Sequence, residues 1–284
     1  MRFVMALFLW VLTTVFLAVA VPTAWAQKNI VDQEGYSAFA AGAAKDPQLQ
    51  QAVAGELTTQ VRTLASGSGS EVNAALVRGV ANAYTASAEF PGQFAKANGI
   101  AHTWMFTNRL SRDENGSWVV DLAPMLSDSS FQQTLSQFNV TVPQTLTVPI
   151  ATSAPDALQP GKLRPLAVWG PWVSVGAAVL AGVFALLTLA AARSRGKALA
   201  ALGVSALLVG AAGWAGLEVA RRYLNDVLNH TSGDIRQAAD AMVNHAIAGL
   251  HQWLNLTLAV GGGLVVFGVI VAMLGGLRRR PADR

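Results

Sequence analysis

The four histidines are the side chains that titrate near neutrality, and their spacing decides which chemistry is open to them. His102 lies close to Trp104, where an imidazole could act as a general base or a ligand. No carboxylate or nucleophile accompanies it, and a histidine in that position usually supplies a structural hydrogen bond. His245 and His251 are six residues apart, which turns them away from each other on a helix, whereas a paired metal site uses a spacing of four. His230 falls in a turn. Asp113 and Glu114 flank a turn and are solvated, and Asp121 either alternates to the polar side of its strand or caps the Pro124 turn, so none of them forms an acid/base pair. The serines include no Gly-x-Ser-x-Gly, and Gly67-Ser68-Gly69 lacks the lysine and the strand-to-helix setting of a phosphate loop. With no cysteine, disulfides, thiolate metal sites and cysteine nucleophiles are excluded. The expectation is no enzyme, no metal and no cofactor.

The elements around these residues explain the scarcity. Of 284 residues, 52% are hydrophobic and only 13% charged, against about a quarter charged in ordinary soluble domains. The deficit is concentrated in four uncharged runs: Phe3–Val21, Leu166–Ala192, Ala198–Leu217 and Leu256–Leu277. Each is long enough to cross roughly 30 Å of hydrocarbon. None holds Asp, Glu, Lys, Arg or His, the groups that line proton and ion pathways, so a transporter or channel is not expected. The first run, followed by Ala24-Trp25-Ala26, fits either a signal peptide cleaved before Gln27 or a signal anchor.

Charge placement predicts orientation. Short segments beside the runs carry eight cations (Arg2, Arg193, Arg195, Lys197, Arg278, Arg279, Arg280 and Arg284) and one acid, Asp283. Those ends are expected in the cytoplasm. Residues 27–165 carry nine cations and eleven acids, and residues 218–255 three and four, which places both outside. The basic excess therefore reads as an orientation signal, and no nucleic acid is expected. Trp25, Trp169, Trp172, Trp214 and Trp253 fall at the predicted outer ends, as indoles at a headgroup interface do.

Residues 27–150 predict a small extracytoplasmic domain. Asp46-Pro47 opens a helix carrying Leu49, Val53, Leu57, Val61 and Leu64. Past the serine-glycine run at 66–70, Val72, Leu76, Val80 and Tyr84 mark a second helix. Ser87 caps a third, bearing Phe90, Phe94, Ala97, Ala101 and Met105. Trp118, Val120 and Leu122 alternate as a strand, a short helix carries Phe131, Leu135 and Phe138, and 140–150 is extended. Prolines 155, 160 and 165 make 151–165 a linker.

The stretches FPGQFAKANGIAHTWMF (Phe90–Phe106) and WVVDLAPMLSD (Trp118–Asp128), followed by three spans, resemble a group of uncharacterised actinobacterial membrane proteins, mycobacterial ones included. That resemblance implies an architecture and an envelope location, and carries over no catalytic residue.

The expected fold class is thus a mainly α membrane protein: a small, mostly helical α+β extracytoplasmic domain, three C-terminal transmembrane helices and an N-terminal signal peptide or signal anchor. The expected divisions are 1–26, 27–150, 151–165, a span at 166–192, a cytoplasmic loop at 193–197, a span at 198–217, an outer helical hairpin at 218–255, a span at 256–277 and a cytoplasmic tail at 278–284. Within the hairpin, Ile235, Ala239, Met242, Ala246, Leu250 and Trp253 recur at helical spacing, and this stripe needs a cover. Small residues at Ala206, Gly210, Ala212, Gly216, Ala259, Gly263, Gly268, Ala272 and Gly276 suit close helix packing, within the chain rather than between copies. The expected function is a plasma-membrane accessory or partner-binding protein, with lipid and a protein partner or second copy as its contacts. The alternative is a sensor or lipid-binding module whose ligand site uses Phe90, Phe94, His102, Trp104 and Trp118.

Overall fold

The computed structural model describes residues 2–67, 72–106, 118–121, 123, 147–151, 163–229 and 233–277. Helices dominate: α1 (Arg2–Ala26), a π-helical turn (Gln27–Val31), α2 (Gln33–Ala43), α3 (Pro47–Gly67), α4 (Ala74–Thr85), α5 (Phe90–Phe106), α6 (Arg164–Ala191), α7 (Arg195–Leu228) and α8 (Gly233–Leu277). Two short strands, β1 (Trp118–Asp121) and β2 (Thr147–Ala151), pair antiparallel with Val120 opposite Val148. The register shifts between Trp118 and Val119, where the partner is Pro149, a residue with no N–H to give to a ladder. The expected helix over Phe131–Phe138 lies outside the described residues, as do positions 152–162 of the linker expected at 151–165, whose ends instead belong to β2 at Ala151 and to α6 from Arg164.

Contacts divide the chain into two compact units. The first comprises Met1–Gln27, Val168–Arg222 and Ile247–Arg284. Among the described residues, four helices are long and apolar enough to cross a membrane, so this is a multi-pass membrane protein by length and composition. The outward faces of this unit leave Phe8, Leu186 and Phe267 exposed, which is ordinary against lipid and costly against water.

In hydrocarbon, helices gain little from hiding apolar surface from one another and associate through close packing. Glycines allow it between α7 and α8. A β-carbon on Gly203 would lie 2.6 Å from the Gly261 carbonyl oxygen, and one on Gly268 would lie 2.4 Å from the Ala200 nitrogen. Gly196 meets Ala272, Gly210 meets Leu258, and Ala206 is buried in the same seam. Of the small residues expected to pack, Ala206, Gly210, Gly268 and Ala272 do so. Gly216 and Gly263 instead face open space. Both helices also run well past their apolar cores, α7 to Leu228 and α8 from Gly233, whose φ of 66° needs glycine.

The second unit comprises Lys28–Ala167 and Tyr223–Ala246. Asp32 caps α2 by accepting from the Gly35 N–H at 2.8 Å, and Asp46 accepts from Gln48 N–H at 2.7 Å to start α3 behind Pro47. Leu49, Val53, Leu57 and Val61 of α3 are buried with Val77, Ala81 and Tyr84 of α4, and with Phe90, Phe94 and Ala97 of α5. Ala241 of α8 joins this core, with Ile235, Ala238 and Met242 packed against it. Of the expected hairpin stripe, Ile235 and Met242 are the members that pack against this core, and the buried side chain beside them is Ala241.

Two local expectations need correction. The buried face of α4 runs through Val77, Ala81 and Tyr84, leaving Leu76 46% exposed. The cap of α4 is Asn73, whose side chain accepts from the Ala75 and Leu76 N–H groups. Ser87 does not cap α5, which begins at Phe90, and its buried hydroxyl has no hydrogen-bond partner.

Gly203→Val is expected to reduce the unfolding free energy by about 1–3 kcal/mol, the usual cost of overpacking. Gly263→Val should change it by less than about 0.5 kcal/mol, and steric-trap unfolding in bicelles measures both.

Candidate functional site

Among the described residues of the second unit, two histidines and three aromatic rings converge beside the π-helical turn. A wider turn misaligns the ordinary main-chain ladder and makes carbonyls available to other donors. Here the Ile30 carbonyl accepts from His102 Nε2 at 2.8 Å. A carbonyl only accepts, so Nε2 carries the proton. The turn is also pressed against α2: a β-carbon on Gly35 would lie 1.7 Å from the Lys28 carbonyl oxygen. Only a residue without a side chain fits that approach.

The His102 ring packs against two others: its centroid lies 4.6 Å from the Tyr36 ring and 4.4 Å from the Phe106 ring. Tyr36 in turn stacks at 6.2 Å on Phe39, which meets the His245 ring at 5.0 Å. The His245 ring packs against Gly42, where a β-carbon would come within 3.1 Å of Nε2. Five rings from α5, α2 and α8 therefore form a ladder, with α2 in the middle. Offset and edge contacts at these separations contribute about 0.5–1.5 kcal/mol each beyond burial.

Burial sets the protonation states. Desolvation holds the His102 pKa below the ordinary histidine value, partly opposed by its bonds to the Ile30 and Val31 main chain and by Asp32. Desolvation pushes the Tyr36 hydroxyl up to about 12. Both rings are therefore neutral near pH 7. A base committed to a main-chain carbonyl and packed against two rings serves to hold the turn, and no serine or carboxylate stands on its Nε2.

The remaining sequence candidates are placed as follows. Phe90 is fully buried and Phe94 nearly so, their rings 5.6 Å apart, with Tyr84 edge-on to Phe90 at 5.6 Å. Both belong to the core formed with α3 and α4, not to the His102 ladder. Trp104 lies on α5 and Trp118 on β1, but their side chains fall outside the described residues. His251 belongs to the first unit, stacked at 3.7 Å on Trp214, whose indole N–H donates to Asn255 at 3.1 Å. Trp169 and Trp172 are exposed, whereas Trp25 is buried over Gly249. Among the described residues, no group of three or more potential ligands could hold a metal ion.

Sequence reasoning missed Tyr36, Phe39 and the Ile30 carbonyl. The available signal was Asp32 as a cap, followed by Tyr36, Ala40 and Ala43 at i, i+4 and i+7. The chain matches no protein-family model, no curated protein and no solved structure.

Because His102 is held neutral, the unfolded chain takes up a proton near pH 6.5 while the folded chain resists it. Stability is therefore expected to fall as pH drops through 6.5 and to stop falling below the depressed folded value. His102→Leu should flatten that limb and lower stability at neutral pH by about 1–3 kcal/mol, the cost of orphaning the Ile30 carbonyl. Thermal melts of the full chain across the acid range test both.

Proposed function

We propose that this chain is a non-enzymatic envelope protein. In this reading it is an accessory or partner-binding subunit, held on the plasma membrane and presenting a small α+β domain outside. Residues 27–165 and 218–255 are extracytoplasmic and the C-terminus is cytoplasmic. The charge asymmetry of the connecting segments supports that orientation. The resemblance of the Phe90–Phe106 and Trp118–Asp128 stretches to actinobacterial membrane proteins supports the envelope setting.

One observation carries the partner-binding role. The extensions of α7 and α8 beyond their apolar runs are treated differently by the fold. That of α8 contributes Ala241 and its neighbours to the second unit's core, while no described α7 residue joins that cluster. Tyr223 of α7 is instead 72% exposed, with Leu224 exposed one residue on. A large aromatic side chain with an apolar neighbour on an uncovered helix face is the composition of a protein-binding anchor. The histidine ladder adds no catalytic reading, since His102 Nε2 is bonded to the Ile30 carbonyl.

A photo-crosslinking residue at position 223 is expected to give a discrete heavier adduct in native membranes, either a second copy or another protein. The same probe at the exposed Thr63 serves as control. Equal, background-level labelling at both positions would remove the basis for a partner on this face.

A further inference from the structure

The N-terminal apolar segment carries the features of a removable leader, yet from Trp10 to Gln27 it is built into the four-helix unit. Near one end of α1, the Trp10 indole N–H donates to the Ala201 carbonyl of α7 at 2.7 Å. One turn on, the hydroxyls of Thr14 and Ser205 share a hydrogen bond of 2.8 Å. Ser205 is fully buried and the adjacent Thr13 nearly so. Phe16 stacks on Phe184 of α6 at 5.5 Å. At the far end, Trp25 is buried over Gly249 of α8, and the Gln27 side chain packs against Gly170 of α6. These contacts reach three different helices.

Ser205 accepts from Thr14 while its own hydroxyl donates to the Ala201 carbonyl at 3.4 Å, so the Thr14 bond ties α1 to a hydroxyl already bonded within α7. Gly170 and Gly249 have no side chain where Gln27 and Trp25 approach. The bond that a leader peptidase would cut, between Ala26 and Gln27, sits where α1 runs directly into the π-helical turn. Peptide segments are commonly recognised as extended strands. Here the recognition segment Ala24-Trp25-Ala26 is helical and its central side chain is buried.

We infer that α1 is a permanent fourth span, seated on α7 through Trp10, Thr14, Ala201 and Ser205, and that this seating withholds the Ala26–Gln27 bond from cleavage. This goes beyond the proposed function and stands whether or not a partner binds at Tyr223.

The test is the intact mass of the full chain purified from bacterial membranes that contain an active leader peptidase. The expected species retains all residues from position 1, apart from the initiator methionine or its formyl group. A population beginning at Gln27 overturns the inference. The seat is tested separately with Thr14→Cys/Ser205→Cys, since the chain has no native cysteine. Mild oxidation is expected to remove both thiols and leave α1 attached after proteolysis of the connecting loops. An uncleaved chain whose two thiols remain fully reactive overturns the seat. The wild-type mass requires no substitution, so it remains decisive if the double variant fails to fold.

Discussion

Inside hydrocarbon there is no water to satisfy a main-chain N–H or C=O, and each unsatisfied group costs several kcal/mol. Every uncharged run of this chain that must cross lipid is therefore a helix, and everything else in the architecture follows from joining helices that gain little from hiding apolar surface from one another. The solution here is proximity. Gly203 against Gly261 and Gly268 against Ala200 bring backbones into contact, which lets dispersion and weak polar contacts act at short range. Hydroxyls at Thr14 and Ser205 add directional bonds where pure packing would leave rotation free.

The second unit is governed by water and uses different means. Its core is assembled from side chains of Leu49, Leu57, Val61 and Phe90, all fully buried, and from helix starts fixed by Asp32, Asp46 and Asn73. The π-helical turn and the neutral His102 belong together. An opened main-chain ladder needs a donor, and a buried imidazole with its proton on Nε2 provides one at the Ile30 carbonyl. Tyr36 and Phe106 exclude the water that would compete for it.

The legibility of these features in sequence varied with their physics. The apolar runs and the α3 stripe from Leu49 to Val61 are strong signals, because large side chains recur with a clear period. The α4 face was misread for a geometric reason. Residues spaced uniformly by four drift about 40° per step around a helix of 3.6 residues per turn, so Leu76 falls off the side that Tyr84 buries, while Val80 still packs at its edge. The buried stripe, Val77, Ala81 and Tyr84, mixes spacings of four and three and includes a small residue. The α2 segment was overlooked because alanine and glycine dominate it, and a π-helical turn has no residue signature. Of the candidate site, His102 was visible as a residue, but its ring partners were not, since Tyr36 and Phe106 meet it only in three dimensions. The glycine seam did leave a signal in its period. Gly196, Gly203 and Gly210 recur every seven residues, as do Gly261 and Gly268, while Gly216 and Gly263 fall off that repeat.

The account rests most heavily on the two ends of α7 facing opposite sides of a bilayer. Single cysteines at Ser194 and Thr63, introduced into this cysteine-free chain, can be probed in intact cells with a membrane-impermeant thiol reagent. Labelling at position 63 with protection at 194 until the membrane is opened is the predicted result. Labelling at 194 in sealed cells would contradict the orientation and the partner-binding role built on it.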